Sequence, residues 1–228
     1  MNARDAMPDP APPRQSTGGW ILSRHRDVAL ALRDPRFSSE SPRCVARIRG
    51  AAAPDPLDEL RGAMFLFRDP PAQRRLRALV SKAFTRRALA PLEDRVRAAV
   101  RALAEERAGG CVDRVRALAE PLPVAVITGL LGLPAADRTQ LEAWSDALAA
   151  LLLEPGSRSD PHGRGRGSLL ALRDYLGRAF AARAAHPRGD LMTTLAGLRE
   201  PERTATAVLL LVAGHETTTS LLGGAVAL

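Results

Sequence analysis

The stretch Gly214-His215-Glu216-Thr217-Thr218-Thr219 places an imidazole, a carboxylate and three hydroxyls inside an otherwise apolar run. Threonines are poor helix formers, each costing several tenths of a kcal/mol against alanine, and a glycine costs about 1 kcal/mol more. A helix that accepts this penalty at its centre is a candidate functional site. The spacing lets the Thr217 hydroxyl donate to the Ala213 carbonyl one turn back, which loosens the helix there. Gly214 would let a flat ligand approach the backbone. Glu216 in an apolar setting would hold its proton to higher pH than an exposed carboxyl, which suits proton transfer. The alternative is a buried threonine cluster that merely satisfies itself. His215-Glu216 is not a metal site: adjacent helical residues point about 100° apart, and no second histidine follows four residues on.

A second group is basic: Arg68, Arg74, Arg75, Arg77, Lys82, Arg86 and Arg87. Gln73 and Arg77 are four apart and share a helix face, so they could clamp carboxylates, the arginine in bidentate fashion. The alternatives are a solvated basic face, or a phosphate-binding surface for nucleic acid. Against the latter, the run has no interleaved aromatics and no helix-turn-helix spacing. Cys44 and Cys111 make neither a disulfide framework nor a zinc pattern.

These groups need elements to position them. The spacing predicts a loose tail over residues 1–18 and a short strand at Trp20-Ile21-Leu22. A short helix from Asp27 to Arg33 follows, stopped at Asp34-Pro35, then a long connector over 38–63. Asp69-Pro70-Pro71 starts a helix that runs through Phe84, with Leu76, Leu79 and Val80 on its buried face. Thr85 caps a second helix carrying Leu92, Val96, Val100 and Leu103, which ends at Gly109-Gly110. A third spans Pro123 to Leu131 and stops near Gly132. A fourth holds Leu141, Trp144, Leu148 and Leu151. A Gly/Arg/Ser loop over 155–167 leads to a helix from Leu169 to Ala185. The last helix opens at Pro201-Glu202 and continues for about 26 residues, or about 39 Å.

The chain has 228 residues with 46% hydrophobic, 25% charged and 4% aromatic content, which excludes a disordered or collagen-like chain and predicts a mainly helical one. Its formal charge is +8, and of 33 basic residues only Lys82 is lysine, so an anionic partner or a coding bias toward arginine would explain it. The N-terminus has no apolar signal region, so a cytoplasmic setting is expected. The last helix is interrupted by His215, Glu216 and the threonines, and a central acid costs about 2.5–3.5 kcal/mol in a bilayer, so a buried core helix is expected and no membrane. The pattern runs to Leu228 without a stop signal, which suggests a truncated protein whose last helix keeps an uncovered apolar face and poor solubility.

In order along the chain, four stretches resemble the soluble bacterial type of cytochrome P450, a heme-thiolate monooxygenase. They are Trp20 to Ser38, Phe67-Arg-Asp-Pro-Pro71 through Phe84, Pro121-Leu-Pro-Val124 through Pro134, and Ala213-Gly-His-Glu-Thr-Thr218. They look like the family's B, C, E and I helices. The resemblance implies the N-terminal half of that mainly helical fold over residues 19–228, truncated in or just after the I helix.

The resemblance also implies roles. Ala213 and Gly214 leave room over a heme b. Glu216 and Thr217 take the catalytic positions, relaying protons and orienting a water. Arg77 pairs with a heme propionate, and Gln73 replaces the family's usual histidine. The full-length family inserts one oxygen atom of dioxygen into a small organic substrate, with electrons from a ferredoxin-type partner. Its iron ligand is a cysteine in a loop downstream of the I helix. Cys44 and Cys111 stand in the wrong context for it, so the chain alone is expected to be inactive. Two alternatives remain: a non-catalytic helical remnant or subunit that needs a separate C-terminal half, and a basic helical nucleic-acid binder.

Overall fold

The computed structural model describes residues 11–16, 19–40, 56–105, 113, 115–153 and 163–226. It divides into two compact units, Met1–Ser39 and Glu40–Leu228.

In the first unit, strands β1 (Arg14–Ser16) and β2 (Gly19–Ile21) pair antiparallel, with Gln15 opposite Trp20. The strand over 14–16 lies in the stretch expected to be a loose tail, and its partner supplies the backbone bonds that a three-residue strand cannot supply alone. Helix α1 (His25–Ala31) follows, as its Val28 and Leu30 spacing predicts, and buries no residue. Trp20 is 67% exposed. Beyond the helix, Arg36 clasps Asp34 through Nε (3.0 and 3.1 Å) and Nη2 (2.6 Å), holding that carboxyl below the usual carboxylate range.

The second unit holds a helical core. Helix α2 (Pro56–Ala63) stands where a structureless connector was expected. Pro56 leads, Asp58 and Glu59 occupy its first turn, and Leu57, Leu60 and Ala63 are buried at helical spacing. The other part of that connector, 41–55, lies outside the described residues. Helix α3 (Ala72–Ser81) buries Leu76 and Val80, then tightens to a 3₁₀ turn over Lys82–Phe84. Helix α4 (Arg86–Glu105) begins after Thr85, whose extended backbone suits the capping position expected of it. Its expected end at Gly109-Gly110 lies outside the described residues.

A π-helical turn over Val115–Ala119 leads into α5 (Pro121–Leu131). Gly132 ends α5 in the left-handed region at φ 78°, as the sequence predicts. A Cβ there would overlap the Asp190 carboxylate, so a side chain is excluded twice over. Helix α6 (Arg138–Leu153) buries Leu141, Leu148 and Leu151. Helix α7 (Arg164–Ala185) begins earlier than Leu169, taking residues expected to be loop. Gly165 makes that start possible: a Cβ would lie 2.9 Å from the Leu151 side chain and 3.0 Å from the Ala147 carbonyl.

Helix α8 (Leu191–Ala196) was not anticipated. Asp190 caps it by accepting from the Thr193 N–H at 3.0 Å. The Asp190 carboxylate also pairs with Arg183 at 2.9 Å, and Arg183 donates to the Gly132 carbonyl at 2.8 Å. Three element ends, those of α5, α7 and α8, therefore meet on one buried guanidinium.

Helix α9 (Glu202–Val226) runs through the middle, against α2, α5, α6, α7, α8 and the π turn. It is long and apolar enough to cross a membrane by length and composition, yet half of its most apolar stretch is buried in this unit. Every described residue from Thr204 to Val212 is buried. That is the pattern of a core helix.

Candidate functional site

Helix α9 changes character at Ala213. Upstream it is enclosed. From there Ala213, Glu216, Thr217, Ser220 and Leu221 are exposed on one face, and Leu221 is 71% exposed. His215 points the other way and is 5% exposed. The polar motif therefore sits where the helix leaves the core, with one side open and one side packed.

On the open side, Thr217 donates to the Ala213 carbonyl at 2.7 Å, the bond its spacing predicts. Thr218 repeats it to the Gly214 carbonyl at 3.2 Å. Two helix carbonyls thus carry a second donor, and the hydroxyl oxygens stay available as acceptors.

Gly214 differs from its expected role. A Cβ on it would lie 2.9 Å from Ile127 Cγ1 and 3.0 Å from Cδ1. Its missing side chain admits α5 to close packing and does not open a surface for a flat ligand. Ala213, small and exposed, is the residue that leaves room on the open face. Glu216 also differs: it is exposed, so the apolar setting predicted for it is not present.

The desolvated carboxyl lies across on α6. Burial, first, and then the negative charge of Asp146 push the Glu142 carboxyl up, while His215 and Arg138 pull it down. Glu142, Asp146, His215, Glu216, Thr219 and Glu120 line one cavity of about 410 Å³. His215 Nε2 approaches Asp146 Oδ1 at 3.5 Å. Sequence reasoning missed Glu142 and Asp146; their signal was two acids one turn apart on the side of α6 that also carries Ala149.

The basic run is divided by the fold. Arg75 grips Glu202 with Nη2 at 2.6 and 2.7 Å, and Arg68 adds a bond at 3.1 Å while its Nε donates to the Gly62 carbonyl. A carboxylate in the first turn of α9 is already favoured by the helix dipole. Arg68 and Arg75 of this run therefore make an internal clamp on the Glu202 carboxylate. Gln73 and Arg77 lie a turn apart on α3, Gln73 half-buried and Arg77 exposed. Among the described residues Arg77 has no carboxylate partner.

The second unit is thus an all-helical core crossed by a long central helix, with a Gly-x-x-Thr segment where that helix emerges. No family model matches the chain. Individual relatives do. Over 216 residues it is 38% identical to the erythromycin C-12 hydroxylase of Saccharopolyspora erythraea, covering 92% of this chain and 52% of that protein. It is 39% identical to the cyclomarin C epoxidase CymV of Salinispora arenicola, with 91% and 53% covered. The structure of CalO2 superposes with a TM-score of 0.81 at 33% identity, covering 91% of this chain and 53% of that one. A P450BioI structure, solved with a fatty-acyl carrier protein, superposes at 0.80 and 28% identity. The chain belongs to the bacterial cytochrome P450s, matches their N-terminal half, and spans about half the length of the curated relatives it matches.

Proposed function

We propose that this chain contributes the distal half of a heme monooxygenase that inserts oxygen into a small organic molecule, in the bacterial cytoplasm and with electrons from a ferredoxin-type protein. The observation that carries this reading is the open face of α9, where a small residue, Ala213, and the bonded hydroxyl of Thr217 stand side by side.

These residues fit one face of a heme. Ala213 leaves space against the helix backbone, and Arg77 offers an exposed guanidinium for a propionate, with Gln73 a turn away as a neutral donor. Gly214 supports the fit indirectly by letting α9 pack tightly on α5. Heme, when bound, supplies the activation of dioxygen. The axial thiolate is not found among the described residues, and Cys44 and Cys111 both lie outside them.

Within this arrangement the chain's own groups handle protons and water. The Thr217 hydroxyl spends its proton on the Ala213 carbonyl, so its oxygen is presented as an acceptor that can hold one water on the open face. Glu216, exposed one residue earlier, exchanges protons with solvent and can pass them along that face. The two readings without catalysis gain nothing specific: Arg68 and Arg75 are engaged with Glu202, which leaves the expected nucleic-acid cluster incomplete.

The test complements the chain with the C-terminal half of the erythromycin C-12 hydroxylase and measures product formed per electron consumed. Thr217→Ala is expected to lower that ratio by about a hundredfold, the lower end for a positioned proton-transfer group. An unchanged ratio would remove Thr217 from the mechanism.

A further inference from the structure

Helices α4 and α5 pack together but leave a cavity of about 190 Å³ between them, bordered by the turn that leads into α6. Leu92 and Val96 of α4, Val126 of α5 and Leu133 beyond it make its walls apolar. The Thr128 hydroxyl, also in the wall, donates to the Val124 carbonyl at 2.6 Å. Among the described residues that line this cavity, Arg138 is the only charged one.

Gly129 and Arg138 distinguish it from a packing gap. Gly129 lines the cavity from within α5, and a Cβ there would meet no atom within 4 Å. A glycine inside a helix weakens it relative to alanine. At Gly165 and Gly214 close neighbours explain that choice; at Gly129 none does, and the missing side chain adds room to the cavity. Arg138 has no carboxylate at ion-pair distance among the described residues. Its charge acts through space on Glu142, a turn along α6, which does not line this cavity. A half-buried guanidinium beside an apolar wall is suited to a carboxylate, which it can hold through two parallel bonds.

The size of the cavity bears on what it takes. An apolar cavity of about 150 Å³ is enough for one benzene-sized molecule. This one is slightly larger, and its single charged group would fix the orientation of what enters. A bare anion would leave the apolar walls unused, and a neutral hydrocarbon would leave the guanidinium unpaired. An acid with a short hydrocarbon part matches both.

We propose that this cavity binds a small organic monocarboxylate, with its carboxylate on Arg138 and its hydrocarbon part against Leu92, Val96 and Gly129. The site shares no lining residue with the α9 motif and does not depend on the oxygenase reading.

The test is calorimetric titration of the full chain with hexanoate, hexan-1-ol and acetate. Hexanoate and hexan-1-ol share a chain length and differ in charge; hexanoate and acetate share a charge and differ in chain length. Hexanoate is expected to bind about tenfold more tightly than either, or better. Arg138→Gln is expected to bring hexanoate down to the level of the alcohol. Gly129→Val is expected to weaken hexanoate and hexan-1-ol alike while circular dichroism reports unchanged helix content. Gly129→Ala, whose added methyl group meets no neighbour, should give an intermediate loss and guards against misfolding of the valine variant. No binding of hexanoate, or equal affinity for hexanoate and either other probe, would overturn the proposal. So would a preference for hexanoate that survives Arg138→Gln, or binding that Gly129→Ala leaves unchanged.

Discussion

Gly214 and Ala213 are adjacent in sequence and face different neighbours. Gly214→Ala is expected to cost about 1–2 kcal/mol, because overpacking against Ile127 outweighs the roughly 1 kcal/mol gained in helix propensity. Ile127→Ala should remove that cost in the double variant, and chemical denaturation of the four-protein cycle measures the coupling. Glu142 makes a pH prediction. Its folded-state affinity for protons is raised, so the native state binds more protons than the unfolded state and stability falls as pH rises through that window. Glu142→Gln is therefore expected to stabilise the protein at neutral pH and to change it little below the ordinary carboxylate range. Melting curves from pH 4 to 8 check both ends. The Thr217 to Ala213 bond was legible from spacing alone, since it needs only helical geometry. The exposure of Glu216 and the desolvation of Glu142 were not, because each depends on which side of α9 meets α6.

At the level of elements, hydrophobic spacing and stop signals located α3 to α7 and α9 within a few residues. The misses have physical causes. Helix α2 lay in a Pro-, Ala- and Gly-rich region whose composition hid the Leu57, Leu60, Ala63 pattern. Helix α8 has only Leu191 to Ala196, too short for periodicity to show, and exists because Asp190 caps it and Arg183 anchors that cap. Glycines in 163–167 read as loop, although Gly165 marks close contact with α6. The junction of α5, α7 and α8 should be sensitive. Gly132→Ala is expected to cost about 2 kcal/mol or more, since it combines a left-handed backbone with collision against Asp190. Loss of the Arg183 to Asp190 contact would appear as a lower melting temperature and faster exchange of α8 amides.

Over the whole molecule, the helical unit from Glu40 onward buries its apolar residues around the first half of α9 and presents the second half on one open face. This is why the family was legible from ordered motifs, while the cavity beside α6 was not: motifs record local spacing, and the cavity joins residues from three helices' ends and faces. Under the proposed function, catalysis through that open face requires an iron ligand, and by their sequence context Cys44 and Cys111 are not expected to supply it. The most direct measurement is the reduced, carbon-monoxide-bound absorption spectrum of the purified chain with added heme, alone and after mixing with the C-terminal half of a relative. The expected result is a red-shifted thiolate-type band only in the mixture, weakened by Arg77→Ala. A thiolate-type band from this chain alone would contradict it, because Cys44 or Cys111 would then reach the iron.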